Sequence, residues 1–292
     1  PNGQSLYVAN LETGSIARLA LEQDGSLGQV RQVLFVPGEP GHGYISHPHQ
    51  VCLHPDGKWL LVPCQGRDHG VGKVEVYAID SEDNHLTEAF VWMARKGAEP
   101  RHVAIHPNGK WVYLVNEKDS TAIFFHFDET TGTLEPRQMV TTLPDDYFGP
   151  GWASGIVMGP EGKAVYVSNR THDSVTVLAI DPETGRLAFR QNLPTEGKQP
   201  RFLDLEPGGK RLVAANELTH GFPDPGRRDP GTGRKTDQRR VAGMCSVERI
   251  GKGAVAHATA PFNLSKKIFT WGSWAYSSRY RAKVERVKGV PS

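Results

Sequence analysis

Residues 100–121 read PRHVAIHPNGKWVYLVNEKDST, and the fold follows from how this stretch is built. HVAIH (102–106) alternates apolar and polar side chains, as a strand with one buried face does. WVYLV (111–115) is apolar throughout, as a strand covered on both faces is. Between them Pro107, Asn108 and Gly109 supply turn chemistry: proline presets φ, and Asn-Gly accepts the positive φ of a tight hairpin. Arg101 stands where the first strand begins and Glu117 where the second finishes, so closing the hairpin places both at one sheet edge.

The same pattern recurs along the chain. The turn glycine returns as PNG (Gly3), HPDGK (Gly57), HPNGK (Gly109), GPEGK (Gly162) and EPGGK (Gly209), at spacings of 54, 52, 53 and 47 residues. Each turn is followed by an apolar strand with a polar tip: SLYVAN, WLLVPC, WVYLVN, AVYVSN and RLVAAN. Three repeats continue with a third strand and a second turn, KVEVYAIDSEDNHL, TAIFFHFDETTGTL and SVTVLAIDPETGRL, and GSIARLALEQDGSLG is a looser copy. Four short strands per unit of about fifty residues predict an all-β fold, a β-propeller of four-stranded blades. A β-sandwich would show short strands without this repetition. About four to five blades are expected over residues 1–218.

Register then selects candidate site residues. Eight before each turn glycine stand His49, Arg101, Ser154 and Arg201; eight after stand Gln65, Glu117, Arg170 and Glu217. In a propeller the first strand of each blade lines the central channel, so these positions are expected at one mouth. Two long insertions, FVPGEPGHGYISHPHQ and LPDDYFGPGWAS, fall at corresponding places, as loops over a binding site do.

Composition sets limits. No run of eighteen apolar residues exists, so no membrane span is expected. Cys52, Cys64 and Cys245 are odd in number and lack C-x-x-C spacing, which points to a reduced, cytoplasmic protein. Pro1 falls at a repeat's turn, and a longer protein is expected to continue upstream of it. The net charge of +2 conceals a division: residues 1–218 carry −8, and residues 219–292 carry +10. The repeat fails after Glu217, and 219–292 form a basic, non-repeating tail that reads as the product of a coding frame disturbed near His220 or, alternatively, as a real basic extension. Resequencing the source DNA checks this. The tail's Trp271, Trp274, Tyr276 and Tyr280 lie among arginines without a nucleic-acid-binding motif, and no nucleic-acid partner is expected.

HPHQ, PRHVAIHPNGKWVYLVNE, GKAVYVSNRTHDSVTVLAIDPETGRL and QPRFLDLEPGGKRLVAANE together resemble the lactonase β-propellers, the family of propeller-type 6-phosphogluconolactonases and carboxymuconate-lactonising enzymes. The resemblance covers roughly residues 1–218. It implies a seven-bladed parent, a cofactor-free hydrolase in the pentose phosphate pathway, and a small-molecule lactone substrate for a monomer or weak dimer. It carries the family's site onto His49 (or its neighbour His47), Arg101, Glu117 and Arg201, and departs from the family at Gly155, where an acidic residue is expected.

Opening a lactone with water needs a base and positive charge near the developing oxyanion. Glu117 and His49 are the candidate bases. A glutamate beside arginines has its pKa lowered, which shifts proton transfer towards His49 with Glu117 orienting it or the water. Arg101, Arg170 and Arg201, with His47, are the candidate stabilising and substrate-binding groups. Three other readings stand beside this one: a muconate cycloisomerase, a non-enzymatic ligand- or protein-binding propeller, and a structural Arg101–Glu117 ion pair. His42, His47, His49 and His54 lack a standard ligand spacing, so no metal is expected, with His54 structural in its turn. Ser154 lacks a G-x-S-x-G elbow, so no serine nucleophile is expected.

Overall fold

The computed structural model describes residues 3–219 except 42, 68, 69 and 210. The expected basic tail, Cys245 included, lies outside the described residues from position 220 onward. Within them the chain is all-β apart from a short 3-10 turn at Pro160–Gly162. No helix among the described residues is long and apolar enough to cross a membrane.

Among the described residues eighteen strands form five blade units. Blade one holds β1 (Ser5–Asn10), β2 (Ser15–Leu21) and β3 (Leu27–Phe35). Blade two has β4 (His47–Pro48) and β5 (Cys52–Leu53), both on β6 (Trp59–Gln65), then β7 (Lys73–Ile79) and β8 (Leu86–Met93). Blade three runs β9 (Pro100–Ile105), β10 (Trp111–Asn116), β11 (Thr121–Asp128) and β12 (Thr133–Thr141). Blade four runs β13 (Ala153–Met158), β14 (Ala164–Asn169), β15 (Ser174–Ile180) and β16 (Leu187–Pro194). Blade five shows β17 (Pro200–Leu205) and β18 (Leu212–Asn216). Neighbouring strands within each described blade unit pair antiparallel.

The fully apolar second strands are explained by packing on both faces. In β10, Val112 and Leu114 join a cluster with Leu61, Val74 and Val76 of blade two. Tyr113 and Val115, on the opposite face, join Ile156, Val165 and Val167 of blade four. Leu60 and Val62 of β6 likewise meet Ile16 and Val36 of the first blade. Among the described residues these cores lie between neighbouring blades.

The turn glycines, Gly3, Gly57, Gly109, Gly162 and Gly209, sit at φ between +66° and +75°. This left-handed conformation is open to glycine at little cost. The turn histidines bind neighbouring blades: His54 Nε2 meets the Gly109 carbonyl at 2.7 Å, and His106 Nε2 the Gly162 carbonyl at 3.2 Å. On the outer strands a glutamine clamps the next blade. Gln138 accepts from Leu187 N at 2.7 Å and donates to its carbonyl at 2.9 Å; Gln32 does the same to Leu86, at 2.9 Å each way.

Candidate active site

At the end of each inner hairpin away from its glycine turn, the ladder is broken by an extra residue. Across β9 and β10, Pro100 pairs with Asn116 and His102 with Val115, which leaves Arg101 as the bulged residue. Across β17 and β18, Pro200 pairs with Asn216 and Phe202 with Ala215, so Arg201 takes the same place. In blade four, Ala153 pairs with Asn169 and Ile156 with Val167, setting Ser154 and Gly155 against Ser168. In blade two the inner strand splits between Pro48 and Cys52, with His49 first in the gap and its N–H donating to the Pro63 carbonyl at 2.9 Å. A bulge re-aims the side chain that an unbroken ladder would alternate away. Two non-glycine residues at positive φ support the arrangement: Glu99 (57°) and Gln199 (58°) accept the N–H of Glu117 and Glu217, each at 2.8 Å.

Glu117 is the hub. Arg101 Nε lies 2.9 Å from its Oε2 and Arg170 Nη2 lies 2.7 Å from Oε1. Gln65 Nε2 donates to Oε2 at 2.7 Å, and Trp152 Nε1 donates to Oε1 at 2.6 Å. Blades two, three and four thus meet on one buried carboxylate. Arg201 forms a second pair with Glu217 at 2.9 Å, and Ser154 Oγ donates to the Arg201 carbonyl at 2.8 Å. The predicted set therefore assembles at one end of the blades, with three guanidinium groups against two carboxylates.

Burial and charge tune these groups. Burial alone would raise the Glu117 pKa, but Arg101 and Arg170 hold it below the ordinary carboxylate range. Burial lowers Arg101 to about 9 despite the pull of Glu117, with Arg170 and Arg201 acting in the same direction as burial; it stays cationic at neutral pH. His49 is pushed well below its ordinary 6.5 by burial and by Arg101, Arg201 and Arg170, so it is neutral at pH 7. Its Nδ1 is buried without a hydrogen-bond partner among the described residues, and its ring meets His102 edge-on at 4.9 Å.

Several expectations need adjustment. Both oxygens of Glu117 are engaged by donors, and its contacts run to Gln65, Arg101, Trp152 and Arg170 rather than to His49. His47 is turned to blade one, where Nδ1 lies 3.0 Å from the Leu11 carbonyl. His47, His49 and His54 point to different places in the described structure. His54 lies at the turn end, and His42 lies outside the described residues. Among the described residues one trio, His54, Asp56 and Glu129, brings possible ligand atoms within 4.8 Å of one another, at that opposite end. At Gly155 an added Cβ would stand 3.3 Å from Leu203 N, a tight fit for any acidic side chain. Cys52 and Cys64 are free thiols. Sequence reading missed Trp152 and His102. Trp152 ends the insertion marked as a covering loop, the one signal that pointed towards it.

Comparison with known proteins bears on the fold and the family. The family profile described as "Lactonase, 7-bladed beta-propeller" matches residues 1–241. A protein of Bacillus subtilis (strain 168) named 6-phosphogluconolactonase is 32% identical over 235 residues, 80% of this chain and 65% of that protein. The chain thus spans slightly less than two thirds of that relative's length. The crystal structure of a Lactobacillus plantarum protein matches at a TM-score of 0.66 and 30% identity, over 80% of this chain and 67% of the other. The periplasmic gluconolactonase PpgL of Pseudomonas aeruginosa matches at 0.66 and 28%, over 83% and 66%. With five consecutive blade units and a profile match over most of its length, this chain belongs to the lactonase seven-bladed β-propeller family.

Proposed function

We propose that the bulged mouth is the catalytic site of a lactone hydrolase acting on a sugar lactone of the 6-phosphogluconolactone type. The observation that carries this reading is the convergence of a neutral histidine and three arginines from four blades on one end of the strands. The name borne by the B. subtilis relative supports the substrate class, and the relatives' names support a role in sugar-acid metabolism.

In this reading His49 is the proton carrier. Its Nδ1 is enclosed, which leaves Nε2 to take a proton from water as the oxygen attacks the lactone carbonyl. Arg101 and Arg201 stabilise the tetrahedral oxyanion or hold the substrate's anionic group, since guanidinium suits both bidentate tasks. Collapse of the intermediate breaks the ring C–O bond, the imidazolium returns its proton to the leaving alkoxide, and a hydroxy acid is released. Glu117, held ionised by two hydrogen bonds and two ion pairs, positions Arg101 and Arg170 and does not carry protons. No step calls for a cofactor. The reaction's setting is cytoplasmic in this reading, in line with the thiols of Cys52 and Cys64.

The test is proton release by the full chain in a pH-stat on 6-phosphogluconolactone and on glucono-lactone, each corrected for spontaneous opening. Catalysis of either supports a hydrolase, and preference for the phosphorylated substrate assigns the arginines to phosphate. Rates equal to the blank on both substrates would remove the reading.

A further inference from the structure

Trp152 reaches the hub from the loop that joins β12 to β13. Its indole N–H donates to Glu117 Oε1 at 2.6 Å, and the Arg170 guanidinium carbon lies 4.1 Å from the ring centroid, with Lys118 Nζ at 5.3 Å. The backbone binds the same partners: Arg170 N donates to the Trp152 carbonyl at 2.8 Å, and Ala153 N to the Glu117 carbonyl at 2.9 Å. The loop is pinned at both ends. Thr142 Oγ1 donates to Asn169 Oδ1 at 2.7 Å, and Gly151 passes so close to Ser120 that an added Cβ would sit 2.5 Å from its Oγ. The indole is therefore fixed by two directional contacts on one face of the site.

Gln65 donates a hydrogen bond to Oε2 of Glu117, while Arg101 and Arg170 lie against the two oxygens as ion pairs. The indole N–H supplies the hydrogen bond to Oε1. We propose that Trp152 is a positioning residue that locks Glu117 and Arg170 into one closed unit, so that neither meets the substrate and the reaction falls to His49, Arg101 and Arg201. The proposal rests on the hydrolase reading of the site. A packing role alone would be met by any apolar ring; the N–H aimed at a carboxylate and the cation stacked on the ring go beyond packing. With the N–H removed, Oε1 regains a free lone pair beside Arg170. Water or a substrate hydroxyl then enters, and Glu117 competes for the proton His49 should take.

The experiment compares the full chain with Trp152→Phe, which keeps an aromatic ring at this position and removes the pyrrole with its N–H, and with Glu117→Gln and the double variant. Urea unfolding is measured from pH 7 down to pH 3.5, together with blank-corrected hydrolysis of 6-phosphogluconolactone. Losing a donor to the ionised carboxylate raises the folded pKa of Glu117. The stability lost in Trp152→Phe should therefore be full near neutral pH, and should shrink as the pH falls and Glu117 takes its proton. Its loss should not add to that of Glu117→Gln. In an active chain kcat should fall about ten- to hundredfold with KM little changed. A loss that is equal at every pH and additive with Glu117→Gln would overturn the lock, as would an active variant with parental kcat. A parent that does not hydrolyse the lactone, yet shows the pH-dependent coupling, would keep the lock and remove the hydrolase reading.

Discussion

At the turn end of each inner hairpin the repeat is kept almost residue for residue. Glycine stands at φ near +70°, the chain reverses by the same backbone bonds, and a histidine reaches the next blade in two successive turns. At the other end the backbone repeats too, as a bulge in each inner strand, but the side chains do not. His49, Arg101, Ser154 and Arg201 occupy one position; Gln65, Glu117, Arg170 and Glu217 occupy the other. Uniformity at the turns serves closure of each blade on its neighbour. Variation on a uniform backbone at the bulges yields a cluster of unlike charges that no single repeat could make. The molecule thus separates the end that holds it together from the end that carries chemistry.

Glu117 is where the two functions overlap, and removing it should have the largest effect on stability. Glu117→Ala leaves Arg101 and Arg170 buried without their carboxylate, and unfolding in urea should show a loss of about 3–5 kcal/mol. A loss below 1 kcal/mol would mean that water already screens the hub.

His49 makes the bulged end sensitive to acid. Its folded pKa lies well below 6.5, so folded and unfolded chains both hold a neutral ring above that pH. Below 6.5 the unfolded chain takes a proton that the folded chain refuses, and stability falls until the folded pKa is reached. Glu117, depressed from 4.5, adds a further loss only below that pH, where the unfolded carboxylate takes a proton that the folded one still refuses. His49→Gln should flatten the stability profile immediately below pH 6.5 and leave the lower limb in place. An unchanged profile in that window would contradict the buried neutral ring.

At the turn end, Gly109→Ala forces a Cβ onto a residue at φ +74° and should cost about 1–2 kcal/mol in the same assay, with unchanged kcat/KM for any lactone the chain opens. A rate effect would break the separation of the two ends. Smaller still is the outer-strand clamp. Gln138→Ala removes two bonds to Leu187 at the half-buried edge, for a loss of about 1 kcal/mol in urea and no change in rate.

Much of this was legible in the sequence because turns and two-faced strands have local causes. Gly57 and Gly109 demand their conformation whatever surrounds them, and WVYLV must be covered on both faces wherever it lies. Counting eight residues either side of each turn glycine found the whole charged set. It could not find the bulges, because an extra residue in a ladder leaves no mark on hydrophobic alternation at polar strand ends. Nor could it assign roles. Whether Glu117 is a base or a filled acceptor depends on Gln65 and Trp152, which stand 52 and 35 residues away. The paired clamps of Gln32 and Gln138 did carry a signal, an Arg-Gln step late in GSLGQVRQ and TGTLEPRQ that recurs in TGRLAFRQ.

The most direct test of a chemical mouth at the bulged end is kcat/KM for 6-phosphogluconolactone in His49→Gln beside the parent chain, blank-corrected at pH 7, with circular dichroism confirming equal folding. A loss of at least about a hundredfold is expected, the contribution of a positioned proton carrier. Equal rates in the two folded proteins would show that proton transfer lies elsewhere, and that the neutral histidine at the bulge is part of the architecture and not of the reaction.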